Sequence, residues 1–359
     1  MTARRPPALT YRGLDELDGP HVMVDGASRP GTVLQLSHWP ASTTPEALRR
    51  DLSAEIAFAY LEHEAAWGHG TATATIDHLD EDGLVSLAVL TDPAFAAGHR
   101  QLLIEVARAG DFCVLEPGLP ARVAFALARL IADGESPARG EGVLAARARR
   151  LLGVLPQLCE QPEDFSHLYA AEEAALSASL AALESGRASV EELAEVSLAV
   201  VRLPEPVPGA AGRAGDGAGT PLGLHRGAIH AVTSQPRVLV VEAGRTTYYD
   251  RYETWVWLVS RPLARRVDLQ PLAAALDAAD GLGSWRADPP GRTEPVMVGE
   301  GAGTLCEEEV LAALVEHLRS APPAWEPTSP RPFSAAAASR AGTSGRGRAR
   351  WRGRPSARP

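Results

Sequence analysis

The sequence predicts an α/β protein with a mostly parallel sheet flanked by helices, a helical connector and a smaller C-terminal α+β domain. In the first 115 residues, short apolar segments typical of strands alternate with segments whose apolar residues recur at helical spacing. Helical spacing then continues to about residue 202, and a strand-rich pattern begins after residue 224. Alternating strands and helices favour a parallel sheet, since parallel neighbours need a crossover connection.

Residue types at the segment ends set the first elements. Thr44 as an N-cap and Pro45 in the first helical position predict a helix, and Gly110 is expected to end a later one. The predicted elements are, in order, strands at 21–25 and 32–37, a helix at 44–64, a strand from 71, a helix after Gly83, a helix at 92–110 and a strand at 111–115.

The second half divides at a Pro-, Gly- and Ala-rich stretch, residues 203–224, which predicts a flexible linker. Four helices are expected before it, at 120–133, 141–155, 164–185 and 188–201. Strands at 227–233, 237–242 and 248–260 and helices at 268–279 and 307–319 are expected after it. The predicted regions are a flexible lead-in at 1–19, an α/β domain with its connector at 20–202, the linker, a small α+β domain at 225–320 and a disordered tail at 321–359.

The composition excludes several kinds of chemistry. The chain has no lysine, and all 35 basic residues are arginines. This excludes a Schiff-base lysine, a phosphate-loop lysine and a kinase-type ATP lysine. The net charge is −10, and residues 331–359 carry eight arginines and no acid. The body is therefore strongly acidic, which does not favour duplex nucleic acid. Nucleic acid is expected at most along the Arg-rich tail, with Trp351 stacking on a base; a solubilising role for the tail is the favoured alternative.

Cysteine use and hydropathy indicate the compartment. The three cysteines show no C-x-x-C spacing, which fits a reducing environment. The N-terminal residues lack the apolar segment of a signal peptide, and no apolar run reaches membrane-spanning length. The expectation is a cytoplasmic protein without a membrane partner, for which a homo-oligomer stays open.

A cluster of acids and a histidine follows the predicted strand that begins at residue 71. It has the pattern His78-x-Asp80-x-Asp82-Gly83-x-x-Ser86. Alternate residues leaving a strand can point the same way, and two carboxylates with one imidazole suit Mn²⁺ or Mg²⁺. Gly83 would leave the next helix's first amides free for a phosphate. The open alternative is an Asp-Gly turn in which Asp82 caps the helix and His78 packs in the core.

Other candidates follow the neighbouring strands. Asp25 ends the first predicted strand and is a candidate metal ligand, and Ser37 and His38 stand at the end of the second. His38 is a candidate for a further ligand or for proton transfer to the leaving group; the alternative is a packed loop histidine. The candidate substrate-binding residues are Ser37, Ser86, His99 and Arg100, although a solvated helix face also accounts for the last two. Asp51, Ser53 and Glu55 are expected mid-helix, where the i, i+4 pair Asp51 and Glu55 shares a solvated face.

The pattern from His78 to Ser86 after a strand resembles the first motif of the DHH phosphoesterase superfamily, whose members hydrolyse phosphodiesters or pyrophosphate with two Mn²⁺ ions. The order of regions is similar too, and implies a large N-terminal α/β domain, a helical connection and a smaller substrate-holding domain. The resemblance implies that Asp111 corresponds to the second-motif aspartate. The segment VWLVSRPLARRVDLQPLAAALDAADGLGSW resembles the strand, Arg-containing turn and helix before the family's substrate loop.

The chain departs from that family in two motifs. The Asp-His-His triplet is absent, with Asp164-x-x-His167 as a candidate replacement, and residues 280–285 lack the histidine of the glycine-rich loop. We expect a metal-dependent phosphoesterase that acts on a small phosphate ester, nucleotide or phosphodiester. The expected metal ligands are His78, Asp80, Asp82, Asp111 and Asp25, and the expected catalytic residues are His38 and Asp82. The alternative is an inactive DHH-like protein that binds a nucleotide or a protein.

Overall fold

The computed structural model describes residues 8–63, 70–133, 140–209, 222–262, 264–301 and 304–324. Its first sheet has four strands in the order β1-β4-β2-β3, and all of its strand pairs are parallel. The strands are β1 (Thr10–Tyr11), β2 (His21–Val24), β3 (Thr32–Leu36) and β4 (Thr73–Thr75). Parallel pairing brings the carboxyl ends of β2, β3 and β4 to one edge of the sheet.

Helices pack around this sheet and form one apolar core with it. They are α1 (Ser53–His63), α2 (Glu81–Thr91), α3 (Pro93–Gly98), α4 (Arg100–Phe112), α5 (Leu119–Asp133), α6 (Glu141–Glu160) and α7 (Ser166–Glu184). Every residue of α2 from Asp82 to Leu90 is buried, because α2 packs against α1, α4, α5 and α6 as well as the sheet. This explains why its sequence is apolar on all sides.

A second sheet has six strands in the order β5-β6-β7-β8-β10-β9. The strands are β5 (Ser189–Leu193), β6 (Leu198–Leu203), β7 (Arg237–Glu242), β8 (Arg245–Asp250), β9 (Trp285–Ala287) and β10 (Val296–Glu300). β6 and β7 are parallel, and the other described pairs are antiparallel. The accompanying helices are α8 (Arg226–Val232), α9 (Gln270–Asp280) and α10 (Glu307–Ser320). α8 lies in the crossover that the parallel pair requires.

One segment of the second half packs into the first core. After β8 the chain forms a 3₁₀ turn, Tyr252–Thr254, and the side chains of Trp255, Val256 and Leu258 are buried in the core of the first sheet. The amide of Trp257 donates a 2.8 Å hydrogen bond to the carbonyl of His38. The two sheets are therefore joined beside the residues that follow β3.

The α/β class is confirmed, and most predicted elements have counterparts. The predicted helix at 44–64 is wrong at its beginning. The Thr44 hydroxyl bonds the carbonyls of Gln35 and Ser37, a 3₁₀ turn occupies Glu46–Leu48, and α1 starts at Ser53. The predicted strand at 111–115 is also wrong. Asp111 lies in the last turn of α4, which ends where Cys113 adopts a left-handed φ of 50°.

Two predicted elements beside the linker have the wrong secondary structure, one a helix that is two strands and the other a strand that is a helix. Residues 188–201 form β5 and β6, because their short apolar run satisfies both patterns. The predicted strand at 227–233 is α8, whose first turn is capped by the His225 ring accepting from the Gly227 amide. The predicted strand at 248–260 is replaced by β8, which ends at Asp250. The second sheet thus begins at Ser189, inside the region assigned to the first domain.

The chain ends bring further corrections. Part of the predicted lead-in is ordered, since β1 pairs with β4. Residues 1–7, 210–221 and 325–359 lie outside the described residues, and with them most of the predicted linker and tail. Among the helices that the structure describes, none combines the length and the apolar composition that a bilayer crossing requires.

Candidate metal centre

Six acidic and imidazole side chains meet at the edge where the first sheet's strands end. Asp25 directly follows β2, His38 follows β3, and His78 follows β4. Asp80 and Asp82 stand at the N-terminus of α2, and Asp111 comes from the last turn of α4. Asp25 has a left-handed φ of 41°, which non-glycine residues rarely adopt away from turns and functional sites.

The first group, the inner triad, consists of Asp25, His38 and Asp82. The His38 Nε2 atom lies 3.6 Å from Asp25 Oδ1 and 3.8 Å from Asp82 Oδ2, and Asp111 Oδ2 lies 3.2 Å from the same nitrogen. The three side chains of the inner triad are 0–2% exposed. Within the described chain, His38 Nε2 and Asp111 Oδ2 are buried without a hydrogen-bond partner.

The tautomer of His38 follows from its other nitrogen. His38 Nδ1 lies 2.6 Å from the carbonyl oxygen of Asp51, so Nδ1–H donates to this carbonyl. A neutral imidazole that donates from Nδ1 presents a lone pair at Nε2. Oriented in this way by a backbone carbonyl, the ring has the arrangement typical of a metal-ligating histidine.

The second group, the outer triad, consists of Asp25, His78 and Asp80. The His78 Nε2 atom lies 2.7 Å from Asp80 Oδ2 and 3.3 Å from Asp25 Oδ2, and Nδ1 lies 3.0 Å from Asp77 Oδ1. His78 and Asp80 are each 32% exposed. Gly26 allows Asp77 to approach, since a Cβ at this position would lie 2.5 Å from Asp77 Oδ1. The outer triad therefore reaches the surface where the inner triad does not.

Asp25 belongs to both triads through different oxygens. Oδ1 faces His38 and also accepts a 2.7 Å hydrogen bond from the Ser53 hydroxyl, whereas Oδ2 faces His78. Ser53 opens α1, and the amides of Ser53 and Ala54 each donate a 2.8 Å hydrogen bond to Asp82. The start of α1 thus fixes the orientation of both carboxylates of the inner triad.

Among the residues that the structure describes, no arginine compensates the carboxylates of the cluster. None of the ion pairs found in the described ranges joins an arginine to Asp25, Asp80, Asp82 or Asp111. Burial, and then the neighbouring carboxylates, raise the pKa of Asp82 and of Asp111 well above the usual range.

In the outer triad, a proton on His78 compensates the negative charge of the carboxylates. Although burial opposes a charge on His78, the Asp80 carboxylate and the hydrogen bonds to Asp25, Asp77 and Asp80 raise the pKa of His78 well above its ordinary value. Burial likewise opposes a charge on Asp80, but protonated His78 lowers the pKa of that carboxyl. In the metal-free protein the imidazolium is therefore the counter-charge of Asp80.

The donor atoms fit a hard divalent cation. Carboxylate oxygens with imidazole nitrogen suit Mn²⁺ and Mg²⁺, and no cysteine belongs to either triad. Ligand atoms at roughly 2.1–2.3 Å from one cation lie about 3–4 Å from one another. The His38 Nε2 distances of 3.2–3.8 Å fall in this range. The buried, unpartnered Nε2 atom would gain its missing partner from a cation.

The structure thus brings together the five predicted metal ligands and His38. The predicted substrate-binding residues do not join them as a set. Ser37 accepts a hydrogen bond from the Trp39 amide within its turn, and Ser86 is buried in α2 with an unpartnered hydroxyl. His99 and Arg100 lie at the opposite end of α4 from Asp111, about 17 Å away along the helix. His99 and Arg100 therefore lie away from the cluster, and their substrate-binding role stays a prediction.

Asp164 and His167 do not replace the missing triplet at this edge. Both are exposed, in the 3₁₀ turn before α7 and in its first turn. The predicted mid-helix placement of Asp51 and Ser53 is wrong, because α1 begins at Ser53, which is fully buried. Sequence reasoning missed the role of Ser53 because it placed that residue within a helix rather than at a helix start. It also missed Asp77, although Asp77 adjoins His78.

Comparison with known proteins yields a family without an assigned activity. A family model described as "Family of unknown function (DUF6687)" matches residues 8–329. Among curated proteins, none matches the chain. Among solved structures, none matches it either.

Proposed function

Because the chain belongs to the DUF6687 family, whose description assigns no activity, we propose its function from the two triads: it is a divalent-metal-dependent, phosphoesterase-like hydrolase. The observation that carries this proposal is that the two oxygens of Asp25 face different triads. A carboxylate shared in this way would bridge two cations. Pairs of cations about 3.5–4 Å apart are the arrangement that supports phosphoryl chemistry in many hydrolases.

Within this proposal each side chain has a defined task. His38 Nε2, Asp82 and Asp25 Oδ1 would hold the inner cation, with Asp111 beside them. His78, Asp80 and Asp25 Oδ2 would hold the outer one. We assign His38 a ligand role rather than the proton-transfer role expected from the sequence. Its Nδ1–H is engaged by the Asp51 carbonyl, and Nε2 faces Asp25, Asp82 and Asp111, which places its lone pair for a cation that these carboxylates would share.

The exposure of the outer triad sets the direction of substrate approach. His78 and Asp80 are partly exposed, whereas the inner triad is buried, so a phosphate group would arrive from the side of His78. Bound cations would neutralise phosphoryl charge and lower the pKa of a water molecule. The protein's contribution is rigidity: α1 holds Asp82, Ser53 holds Asp25, and Asp77 holds His78. The substrate class is a small phosphate ester, a nucleotide or a phosphodiester.

The resemblance to DHH phosphoesterases supports the same proposal from the sequence. The first-motif residues His78, Asp80 and Asp82 lie in the two triads, and Asp111 lies against His38. Asp25 and His38 supply ligands in a chain that lacks the Asp-His-His triplet. Because these two residues complete the ligand sets, the cluster favours an active enzyme over the inactive alternative.

Metal stoichiometry and turnover test the proposal. Metal-free protein is titrated with Mn²⁺ by calorimetry, and hydrolysis of bis(4-nitrophenyl) phosphate and 4-nitrophenyl phosphate is followed with and without the metal. We expect two Mn²⁺ ions per chain, a rise in melting temperature with Mn²⁺, and Mn²⁺-dependent hydrolysis of at least one ester. The double variant Asp80→Asn/Asp82→Asn should lose all three properties.

Asp92→Asn is the matched control. Asp92 caps α3 through its hydrogen bond from the Phe95 amide, as Asp80 caps α2 through the Gly83 amide, but Asp92 is not part of the cluster. The control should behave as the parent does. Two bound ions without hydrolysis of either ester would favour the inactive alternative, a protein that binds a nucleotide or a protein partner. No bound Mn²⁺ would overturn the metal centre itself.

A further inference from the structure

A short segment from the second half of the chain contacts the loop that orients His38. We call residues 257–260 the bridging segment. Its first amide, that of Trp257, donates a 2.8 Å hydrogen bond to the His38 carbonyl, and its last two amides donate to Asp51 Oδ1 at 2.6 and 3.1 Å. Asp51 lies just before α1, and its own carbonyl accepts from the His38 ring at 2.6 Å. The bridging segment therefore holds both partners of the hydrogen bond that orients this ring.

The bridging segment is itself anchored to the first half. The Leu258 side chain is buried in the core of the first sheet, and the Arg49 guanidinium lies 5.7 Å from the centroid of the Trp257 ring. A buried aliphatic side chain and a cation over an aromatic ring both stabilise the position of a segment. Asp51 lies 208 and 209 positions from its two amide donors, so the contact is tertiary and not part of a local turn. The segment is therefore a fixed support for the loop before α1.

Hydrogen bonds contribute more than packing to the position of Asp51. The residue lies outside the regular elements, between the 3₁₀ turn Glu46–Leu48 and α1. One side of it borders a cavity of about 600 Å³ between the two halves, which Leu258 and Ser260 also line. A side chain beside a cavity gains little from packing on that side. Without its two amide donors, Asp51 would be free to shift, and the carbonyl that orients His38 would shift with it.

The direction of the His38 ring decides how well its Nε2 atom fits the inner triad. This atom lies 3.2–3.8 Å from three carboxylate oxygens of the cluster. A carbonyl that accepts from the other ring nitrogen fixes the direction of a metal-ligating histidine, and loss of such a partner typically weakens metal binding by about 10–100-fold. In the outer triad, Asp77 rather than Asp51 holds the histidine, His78. A change at Asp51 should therefore affect the inner ion selectively.

We propose that the bridging segment positions His38 for the inner cation and that Asp51 is the positioning residue, because its side chain accepts from the segment while its carbonyl orients the ring. This inference rests on the proposed function and adds a positioning residue to it. The second half of the chain thereby contributes to the inner site without supplying a ligand. The affinity for the inner ion then depends on how the two halves join.

The test compares Asp51→Ala and Asp51→Asn with the parent. The metal-free proteins are titrated with Mn²⁺ by calorimetry, and the binding step that Asp80→Asn removes is assigned to the outer ion. We expect Asp51→Ala to lower the affinity for the inner ion about tenfold, because the carbonyl that orients His38 remains but loses its support. The affinity for the outer ion should be unchanged. Asp51→Asn keeps an oxygen that can accept both amides, so it should bind the inner ion nearly as the parent does.

Asp277→Ala is the matched control. Asp277 also accepts an amide of another segment, that of Trp285 at 3.0 Å, but it lies in α9, which packs on the second sheet. This variant should keep both parental affinities. Parental affinity for the inner ion in Asp51→Ala would overturn the positioning role and leave the metal centre standing. Equal losses at both ions would also overturn it, since the change would then loosen the structure as a whole. A parent that binds no Mn²⁺ would overturn both proposals.

Asp51→Glu covers the case in which Asp51→Ala does not fold, and the melting temperature of each metal-free protein shows which variants are folded. Asp51→Glu keeps the charge but carries the carboxylate one methylene further from the backbone, so it should also lower the affinity for the inner ion. A Glu variant with parental affinity for the inner ion, or an Asn variant as weak as the Ala variant, would overturn the role assigned to the two hydrogen bonds.

Discussion

The inner and outer triads share Asp25 but differ in how the negative charge of their carboxylates is compensated. In the outer triad a proton takes the cation's place, because His78 Nε2 bonds Asp80 at 2.7 Å. In the inner triad His38 Nε2 stays 3.6 Å from Asp25 and 3.8 Å from Asp82, buried and without a hydrogen bond among the described residues. Unpartnered buried polar atoms are costly. The inner triad therefore gains more from a cation than the outer triad does.

This difference predicts an order of metal binding. A cation at the inner triad would supply the positive charge that the facing carboxylates and the Nε2 lone pair lack. A cation at the outer triad would first have to displace the proton on His78. The outer triad is also the more exposed of the two. We therefore expect a tightly held inner ion and a more weakly held, exchangeable outer ion. The following variants test this comparison.

Asp25→Asn should have the largest effect, because it removes the carboxylate that both triads share. An amide has one oxygen and cannot bridge two cations, so both sites should lose affinity. A metal ion contributes several kcal/mol to phosphoryl transfer, so activity should fall by about a thousandfold or more. The measurements are Mn²⁺ stoichiometry and hydrolysis of bis(4-nitrophenyl) phosphate. Retention of two tight ions would contradict the shared role of Asp25.

Asp82→Asn should remove the inner ion and also weaken the fold. Both oxygens of Asp82 accept backbone amides at the start of α1, and an Asn amide would face one of these donors. An unsatisfied buried donor costs about 1–3 kcal/mol. Partial relief of the repulsion between carboxylates would offset some of this cost. Chemical denaturation of the metal-free protein measures the balance; an inner ion retained at parental affinity would contradict the inner triad.

Asp80→Asn should remove the outer ion alone. Asn is as good an N-cap as Asp, so α2 should keep its cap on the Gly83 amide. Calorimetry should then show one Mn²⁺ per chain with nearly parental affinity, and hydrolysis should fall about a hundredfold or more. Loss of the tighter ion in this variant would reverse the assigned order of the two triads.

The sequence predicts the ligands of both triads better than it predicts the elements that carry them. Asp25, His38, His78, Asp80 and Asp82 follow apolar strand-like runs, so the parallel sheet brings them to one edge as expected. Asp111 joins them although the predicted strand around it is the end of α4, because an Asp can reach the same edge from a helix end. Residue type therefore carried more information here than local conformation did.

The supporting contacts could not be predicted in the same way. Ser53 donates to Asp25 because α1 starts at Ser53, and that start depends on the Thr44 hydrogen bonds and the 3₁₀ turn before it. Trp257, whose amide donates to the His38 carbonyl, lies more than 200 residues along the chain from His38, and no local pattern links them. Contacts of this kind are set by how the two sheets join, which periodicity does not encode.

Asp77→Asn should have the smallest effect and the sharpest selectivity. Asp77 accepts from His78 Nδ1 and from the Ala27 amide but belongs to neither triad. Loss of such a supporting carboxylate typically weakens metal binding by about 10–100-fold. Because Asn keeps a carbonyl oxygen that can still accept from His78, we expect an effect near the lower value. The affinity for the outer ion should fall about tenfold while the affinity for the inner ion is unchanged.

Ser53→Ala, which removes the hydrogen bond to Asp25 Oδ1, provides the reciprocal control and should lower the affinity for the inner ion more than that for the outer one. Equal effects on both ions in both variants would mean that the cluster binds metal as one unit, and the distinction between the triads would fail.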